Sequence, residues 1–331
     1  MPESRHAGTY GEPERACLRA PAAPPGTRPG PPPRLSVLVP AYDAAQTIGA
    51  ALDSALTQSP PPFEVVVSDD GSRDDLAGAL APFRDHVRVI AGENRGLATA
   101  RNRAAVAASG DLLALLDADD VWLPGRTAAL TTAAAQRPDL SVLTTDAIVV
   151  RDGKPDEQTY YATRQFPVQQ QDLGILRNSF IFGAGAVRAE AFRAVGGYRD
   201  GIRCAEDWDL WLRLLLRGHC AGLIQEPLYE YRRRAESLTG RKLDLALGVL
   251  TVLADARSLV RGREQRRQLQ QTEQEWREAA ACSAGCLDHR GARLMALRAA
   301  AGVRATPRAR LRFAAATVLP SRLVAASTGA R

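Results

Sequence analysis

The chain has 331 residues, of which 45% are hydrophobic, and its formal net charge is +6. This length and hydrophobic content allow one large α/β domain with an appendage, and they argue against a wholly disordered chain. No apolar run is long enough to span a membrane and no signal-peptide core is present at the N-terminus. Five irregularly spaced cysteines indicate reduced thiols in a cytosolic protein.

Proline content separates the first part of the chain from the rest. Residues 1–33 contain nine prolines and end in three consecutive ones. We expect a disordered arm or stiff linker there, with nothing buried. The hydrophobic pattern starts at Leu35, so we expect the main domain over residues 34–240 and a helical, basic C-terminal region over residues 241–331.

Short apolar strands alternate with helices in the first half of the main domain. This alternation predicts an α/β fold with a mostly parallel sheet covered by helices on both faces. The first strand is expected to stop at Pro40. The expected strands are 35–39, 64–68, 87–90 and 111–116, and the expected helices are 45–57, 74–80 and 97–108.

The second half of the main domain is less regular. An extended segment is expected at 140–150, turning at Asp152 and Gly153, and the polar, Gln-rich stretch 156–172 is a candidate mobile loop. Further elements are expected as strands 183–187 and 228–232, an amphipathic helix 206–217, and helices beyond residue 243.

Polar side chains follow the first four predicted strands. Ligands bind beyond the carboxyl ends of the strands in open parallel sheets, so we expect a binding site at this edge. The residues concerned are Tyr42 and Asp43, Asp69 and Asp70, Glu93 to Arg95, and Asp117 to Asp120.

Asp117 and Asp119 stand one residue apart at the end of the fourth strand. In extended backbone such residues point the same way, and two carboxylates on one side suit Mg²⁺ or Mn²⁺ that already carries a diphosphate. The structural alternative is that Asp119 or Asp120 caps the helix that Pro124 helps to start.

Two other acidic pairs allow both a structural and a functional interpretation. Asp69 and Asp70 could cap a strand-to-helix turn, or one of them could accept a hydrogen bond from a nucleobase. Glu206 and Asp207 could simply favour the dipole of a helix that they begin. Alternatively, one of them could act as a general base, with its pKa raised by the other.

Arginines could supply the positive charge that a diphosphate leaving group needs. Arg95, Arg101 and the run Arg232 to Arg234 are the candidates, since Arg can pair with a phosphate through two hydrogen bonds. Any one of them could equally be an ordinary surface residue.

Five sequence blocks, taken in order, are similar to those of the family-2 glycosyltransferases with the GT-A fold. The resemblance covers about residues 34–235 and implies a Rossmann-like, mostly parallel sheet flanked by helices, with a helical C-terminal extension. The blocks are Val39 to Asp43, Val66 to Ser72, Asn94 to Asn102, Asp117 to Asp120, and Glu206 to Arg213.

The resemblance implies a site for the nucleotide part of a nucleoside-diphosphate sugar, a UDP-, dTDP- or GDP-sugar. Pro40 and Tyr42 would line the nucleobase pocket, with Tyr42 stacked on the base. Asp70 would accept a hydrogen bond from the base, with Asp69 beside it. Arg101 would lie near the phosphates of the donor.

The resemblance also implies the reaction centre of a hexosyltransferase-like enzyme that inverts the anomeric carbon. Asp117 would lie by the ribose and the metal, and Asp119 would ligate Mg²⁺ or Mn²⁺. Asp207 would be the catalytic base that deprotonates a hydroxyl acceptor, with Glu206 supporting the acceptor site. Such enzymes act in the assembly of cell-surface polysaccharides or glycolipids, where the acceptor can be lipid-linked.

Three features differ from the family pattern. Asp43 replaces the usual Asn, and three arginines follow Tyr231 where a metal-binding histidine is often expected. Either water completes the metal site, or Arg232 to Arg234 bind the diphosphate directly. The Gln-Arg-Arg-Trp signature of processive synthases is absent, which favours transfer of a single sugar.

Two other functions compete with this interpretation. A nucleotidyltransferase usually has a Gly-rich, Lys-containing loop after the first strand, whereas residues 40–47 contain neither residue type. A catalytically inactive nucleotide-sugar-binding module would keep the fold alone, but the acidic positions are all present.

The C-terminal region is strongly basic. Residues 289–331 contain nine arginines and no acidic residue, interleaved with Leu, Val and Phe. We expect either a solvated helical surface or a peripheral contact with the inner face of the cytoplasmic membrane. Phe313 is the one aromatic residue among the last forty, which argues against nucleic-acid binding by stacking.

Overall fold

One mixed sheet organises the computed structural model, which describes residues 18–202, 204–233 and 242–285. The sheet has ten strands, and eight of them run in the order β1-β10-β7-β9-β5-β2-β3-β4. The strands are β1 Leu18–Arg19, β2 Leu35–Ala41, β3 Glu64–Asp69, β4 Arg88–Ala91, β5 Leu112–Leu115, β6 Val121–Trp122, β7 Leu140–Arg151, β8 Lys154–Pro155, β9 Ala186–Arg188 and β10 Cys220–Arg233.

Helices cover the sheet as the α/β pattern predicts. A short 3₁₀ turn, Ala81–Phe83, follows the second of them. The helices are α1 Ile48–Leu56, α2 Leu76–Leu80, α3 Leu97–Ala107, α4 Arg126–Gln136, α5 Gln171–Arg177, α6 Ala189–Ala194, α7 Glu206–Leu215, α8 Lys242–Ala256 and α9 Arg263–Gly285.

The N-terminal half of the sheet is parallel, which confirms the predicted architecture. β2 pairs in parallel with β3 and β5, and β3 pairs in parallel with β4. Every residue of β2 and β5 is buried, because both faces of these strands are covered. The carboxyl ends of β2, β3 and β5 therefore meet at one edge.

Pro40 does not end the first strand as expected, since β2 continues to Ala41. Leu38 turns its carbonyl toward β5, where it accepts from the N–H of Leu116 at 3.0 Å. Pro40, two residues further along, faces the same side, beyond the last paired residue of β5. A proline is tolerated in the strand because no neighbour there needs its missing N–H.

The C-terminal half of the sheet is built on two long parallel strands. β7 and β10 pair over most of their length, with irregularities that begin at Cys220, Ile224 and Pro227. β10 is thus much longer than the expected strand 228–232. β9 joins the two halves because it runs antiparallel to both β5 and β7.

Residues 18–33 differ from the disordered arm that the sequence predicts. β1 adds an antiparallel pair to β10, with Leu18 opposite Ile224 and Arg19 opposite Leu223. Leu18 packs against the hydrophobic core, but no residue of 18–33 is buried and most are exposed, as expected for so proline-rich a segment. Residues 1–17 lie outside the described part of the chain.

The segment expected as a mobile loop, residues 156–172, also makes defined contacts. The carboxylate of Asp146 accepts hydrogen bonds from the Thr159 hydroxyl at 2.6 Å and the Tyr161 N–H at 2.9 Å. Phe166 is buried in the core. These contacts fix the path of the segment over the end of β7.

Helices α8 and α9 pack on the main domain beside α7. The ring of Trp276 in α9 lies 6.0 Å from that of Trp208 in α7, and Asp255 in α8 pairs with Arg199 at 2.6 Å. The helical part of the C-terminal prediction is therefore seen up to residue 285, and its arginine-rich end lies outside the described residues. In the described ranges, no helix combines the length and apolarity needed to cross a bilayer.

Candidate active site

The predicted polar residues gather at the carboxyl edge of the parallel strands. β2 and β3 remain in register up to the pair Ala41 and Asp69, and β2 and β5 up to Leu38 and Leu115. Tyr42 and Asp70 follow their strand ends directly, and Asp117 comes two residues after Leu115. The edge of the sheet therefore brings together residues that are far apart in sequence.

A buried arginine links this edge to the start of α7. Arg101 projects from α3, and its guanidinium donates to Asp117 Oδ1 and to Glu206 Oε1, both at 2.8 Å. Its side chain is only 4% exposed. Burial lowers the pKa of Arg101, but its neighbours more than offset this effect and raise the pKa well above its usual value. These neighbours are Asp117, Tyr198 and Glu206. The guanidinium therefore stays charged and holds two carboxylates from separate elements.

Both predicted acid–base candidates lie in the first turn of α7. The pKa of Glu206 is raised to about 7, mainly because the residue is buried. The positive charge of Arg101 lowers this pKa, and the negative charge of Asp207 raises it. Burial also raises the pKa of Asp207, again opposed by Arg101. Ala205, before the helix, has a left-handed φ of 66°, a conformation that costs a non-glycine residue energy. This strained turn places the two carboxylates at the site.

Gly183 lies directly against the Asp207 carboxylate. A β-carbon at position 183 would come within 2.7 Å of Asp207 Oδ2. The other oxygen, Oδ1, accepts from the backbone N–H of Trp208 at 2.7 Å. Asp207 is therefore held on one side by a hydrogen bond and given room on the other by the missing side chain of Gly183.

The residues after β5 alternate in burial. Asp117 and Asp119 are half-buried, whereas Ala118 and Asp120 are buried. The backbone is not extended here as the prediction from their spacing assumed, because the Asp120 N–H donates to Asp117 O at 3.0 Å and closes a turn. Neither Asp119 nor Asp120 caps α4, because that helix starts after Gly125 without a side-chain cap. The structural alternative proposed from the sequence is therefore wrong for both residues.

Asp120 instead organises the floor of the site, a role that the sequence did not reveal. It accepts from the Tyr229 hydroxyl and from the N–H of Arg232, both at 2.8 Å. The Tyr229 oxygen in turn accepts from the Asp117 N–H at 3.3 Å. Burial and the nearby Asp117 and Asp119 raise the pKa of Asp120 well above its usual value. This network fixes the end of β10 against the acidic turn.

Asp70 already has several protein partners. It is buried and accepts from the backbone N–H groups of Arg95, at 3.2 Å, and Gly96, at 2.7 Å, and from Arg103 at 3.3 Å. Arg103 and Arg101 both project from α3, so this helix anchors the end of β3 as well as that of β5. The predicted role of Asp70 in binding a base remains a prediction, and these contacts give it a structural role.

Asp69 and Tyr42 flank that cluster. Asp69 Oδ1 accepts from the Ser72 N–H at 2.9 Å, which is the strand-to-helix cap considered from the sequence. Pro40 is buried, whereas Tyr42 is 42% exposed and the centroid of its ring lies 5.5 Å from the Arg73 guanidinium. The Tyr42 ring is thus available for stacking, as its predicted role requires.

The arginine run at the end of β10 does not act as a unit. Arg232 pairs with Glu230 at 2.7 Å, whereas Tyr231 and Arg233 line a separate groove beside Tyr160. Strand alternation explains this division, because adjacent residues point to opposite faces. Arg234 lies outside the described residues. A joint grip of Arg232 and Arg233 on one diphosphate therefore does not fit this geometry.

Other residues of the site were not singled out from the sequence. The Asn102 amide donates to Tyr198 O at 2.7 Å and accepts from its N–H at 2.8 Å, which fastens α3 to the loop before α7. Asn102 belongs to a matching sequence block, so the block was a usable signal. Gly183, by contrast, has no sequence neighbour that marks its role.

The acidic turn fits a divalent cation that arrives with its ligand. Asp117 and Asp119 are both half-buried, and each has carboxylate oxygens that a cation could take as ligands. Within the described part of the chain, no three His, Cys, Asp or Glu side chains gather as a complete ligand set. A Mg²⁺ or Mn²⁺ ion there would take its remaining ligands from a diphosphate and from water, which is usual for Mg²⁺.

Comparison with known proteins identifies the class. The family model "Glycosyl transferase family 2" matches residues 36–196. TuaG of Bacillus subtilis, a glycosyltransferase assigned to teichuronic acid biosynthesis, is 30% identical over 215 residues, which span 63% of this chain and 83% of TuaG. The chain therefore belongs to glycosyltransferase family 2 and is a glycosyltransferase.

Two further comparisons concern particular regions and the fold. The Escherichia coli protein WfgD, a UDP-Glc:α-D-GlcNAc-diphosphoundecaprenol β-1,3-glucosyltransferase, is 36% identical over 94 residues, 28% of this chain and 37% of WfgD. The mannosyltransferase PcManGT from Pyrobaculum calidifontis, solved with GDP-Man and Mn²⁺, superposes with a TM-score of 0.56 at 21% identity. That superposition covers 94% of this chain and 82% of PcManGT, and it shows the GT-A fold.

Proposed function

We propose that this glycosyltransferase moves one sugar from a nucleoside-diphosphate sugar to an acceptor hydroxyl, with inversion of the anomeric carbon. The observation that carries the proposal is the Arg101 bridge. It holds Asp117, at the predicted metal and phosphate site, and Glu206, beside the predicted base, in one buried contact. Donor and acceptor chemistry thus meet at one place.

In this proposal, each residue of the donor side of the site has its own role. Tyr42 stacks on the nucleobase with Pro40, Asp69 and Asp70 around it, and Arg101 stands beside the donor phosphates. Asp117 and Asp119 would hold Mg²⁺ or Mn²⁺, which would stabilise the departing diphosphate. Arg232, fixed through Asp120, lies at the end of β10 and completes the positive side of the site.

Asp207 accepts the proton of the attacking hydroxyl. A raised pKa makes its carboxylate a better base than an exposed aspartate, and Gly183 leaves its Oδ2 room. Glu206 supports the acceptor side and is held by Arg101. The attacking oxygen and the departing diphosphate must lie on opposite faces of the sugar, which is the geometry of inversion.

The comparisons support the biological setting of this proposal. TuaG is assigned to the synthesis of a polysaccharide, and the acceptor in the name of WfgD is a sugar joined to a lipid through a diphosphate. PcManGT was solved with a nucleotide sugar and Mn²⁺. We therefore propose a UDP-, dTDP- or GDP-sugar as donor and a lipid-linked sugar as acceptor, in the assembly of a cell-surface polysaccharide or glycolipid.

Substitution of the base tests the mechanism. In Asp207→Asn, we expect transfer to fall at least about a hundredfold, while the dissociation constant of the donor changes little. A thermal-shift panel of nucleotide sugars with Mn²⁺ identifies the donor first. The exposed Asp85→Asn serves as the matched control. Transfer by Asp207→Asn at the wild-type rate would show that another group accepts the proton.

The stereochemistry and the number of sugars added are separate claims with their own measurement. Proton NMR of the product during turnover reports the anomeric configuration, which we expect to be opposite to that of the donor. Mass spectrometry should show one added sugar per acceptor. A ladder of products, or retention of configuration, would contradict the corresponding part of the proposal.

The C-terminal region, residues 241–331, is proposed to dock the enzyme on the inner face of the cytoplasmic membrane. The arginine-rich residues 289–331 motivate this idea, because basic segments with apolar residues bind anionic lipid surfaces. Sedimentation with anionic vesicles should retain the full chain and release the chain that lacks residues 290–331. Equal partitioning of the two would refute membrane docking.

A further inference from the structure

A groove of about 540 Å³ has Tyr160 in its lining and is not used by the mechanism above. We call it the 156–164 groove, because that segment forms one wall. The ends of β7 and β10 form the rest, with Arg151, Tyr231 and Arg233 among the lining residues. Asp146 anchors the wall through Thr159, so the groove has a defined shape.

Positive charge inside the groove is concentrated on two arginines. Arg151 is neutralised by Asp156, whose two oxygens lie 3.0 Å from its Nε. The Arg164 guanidinium stacks 4.0 Å from the centroid of the Tyr160 ring and donates to Tyr160 O at 2.9 Å. Within the described ranges, no ion pair joins Arg164 or Arg233 to an acidic side chain. Both arginines line the groove, so their charges are available to a ligand there.

Glu157 is the remaining acidic residue of the lining, and it is exposed. Two unneutralised arginines against one exposed carboxylate leave the groove with a positive balance. A ligand with one or two negative charges therefore fits it better than a neutral or cationic one. The negative charge of Glu157 repels such a ligand. Substitution of Glu157 should therefore strengthen ligand binding, whereas substitution of an arginine should weaken it.

Asp207 is not a lining residue of the groove, and Tyr160 forms the link between the groove and this proposed base. Tyr160 lies in the wall of the groove, and its pKa is raised to about 12, mainly by burial. Arg164 and Arg233 lower this pKa, and Asp207 raises it. Tyr160 is thus within electrostatic reach of both arginines and of Asp207. The Tyr160 ring packs 4.8 Å from that of Phe182, whose neighbour Gly183 touches the Asp207 carboxylate.

We propose that the 156–164 groove binds a phosphate group carried by the acceptor sugar, with Arg164 and Arg233 as its ligands. This inference rests on the proposed function and specifies the chemical class of the acceptor. A sugar whose phosphate pairs with these two arginines presents its hydroxyls toward Asp207. Arginine suits this task because its planar fork binds two phosphate oxygens at once.

Calorimetric titration tests the proposal with simple sugar phosphates in place of the whole acceptor. The protein is saturated with UDP or GDP and Mn²⁺, so that the donor site is filled. The probes are the 1-phosphates of glucose, galactose, mannose and N-acetylglucosamine, their methyl glycosides, and inorganic phosphate. We expect at least one sugar phosphate to bind about tenfold or more tightly than its methyl glycoside.

Variants assign that preference to the groove. Arg164→Gln and Arg233→Gln should remove most of it, whereas Arg84→Gln, at an exposed arginine outside the groove, should retain it. Glu157→Gln should tighten the binding of the sugar phosphate about twofold to fivefold, because it removes a like charge. Circular dichroism of each variant confirms that it is folded.

Three results would overturn the inference. The first is that sugar phosphates bind no more tightly than the methyl glycosides. The second is that the preference survives in both Arg164→Gln and Arg233→Gln. The third is that inorganic phosphate binds as tightly as the sugar phosphates, which would mark a simple anion site. Failure of the proposed function looks different, since the protein would then bind neither nucleotide and turn over no nucleotide sugar.

Discussion

Gly183 offers the sharpest test of the active-site geometry because its substitution moves one catalytic group and little else. In Gly183→Ala, the new β-carbon would lie 2.7 Å from Asp207 Oδ2, whereas an ordinary contact needs about 3.4 Å. The carboxylate must therefore move by about 0.7 Å. The backbone at position 183 is not left-handed, so alanine itself is not strained there.

The expected consequence is a loss of turnover with little loss of binding. A misplacement of about 1 Å at a reacting group can cost about a hundredfold in rate, so we expect kcat to fall about tenfold to a hundredfold. The donor dissociation constant and Tm should remain near those of the wild type, because Asp207 is a general base and not a donor ligand in the mechanism.

The assay compares initial rates at saturating donor for the wild type, Gly183→Ala and a matched control. Gly49→Ala is suitable, since a β-carbon at Gly49 meets no atom within 4 Å. Wild-type kcat in Gly183→Ala would refute the assignment of Asp207 as the base. A parallel loss of donor affinity would show that Gly183 acts on the nucleotide side instead.

Two further predictions concern the buried charges around Arg101. Arg101→Met leaves Asp117 and Glu206 without their shared cation, so the free energy of unfolding, measured in urea, should fall by about 3–5 kcal/mol. In the double variant Arg101→Met/Glu206→Gln the free energy of unfolding should fall much less. An equal loss in the single and the double variant would contradict this account. Glu206, with its pKa raised to about 7 from about 4.3 in the unfolded chain, stabilises the fold while it is protonated, and this contribution disappears as the pH rises through about 7. Between about pH 5.5 and about pH 8.5, with metal chelated, the wild type should therefore lose about 2 kcal/mol of stability relative to Glu206→Gln, and parallel pH profiles would show that Glu206 is not buried as described.

The periodicity of the sequence predicted the parallel half of the sheet well. Strands such as β2 and β5 are buried on both faces, so they appear in the sequence as continuous apolar runs bounded by turns. Since ligands bind beyond such strand ends, Asp117 and Asp70 could be placed at one edge from the sequence pattern. Their burial and partners could not be predicted in this way.

The remaining features depend on tertiary contacts that leave no local pattern. β1 has two residues, too few for any periodicity, and it exists only because β10 offers an edge. Asp120 looks like Asp119 in sequence, and its burial depends on the Tyr229 hydroxyl and the Arg232 N–H, which both belong to β10. Arg232 and Arg233 belong to one run of like charges in the sequence, yet the alternation of side chains along β10 sends them to different sites.

The short pairing of β1 with β10 matters for how the enzyme is produced. A version trimmed to begin at residue 34, where the hydrophobic pattern starts, would bare the outer N–H and C=O groups of β10 near Leu223 and Ile224. It would also expose Gly222, against which Leu18 packs. The Leu18 side chain lies 3.2 Å from the place that a β-carbon on residue 222 would occupy. Because unprotected strand edges recruit strands from other molecules, the shortened enzyme would tend to self-associate. The proline-rich leader is therefore better kept from residue 18 onward as part of the folding unit.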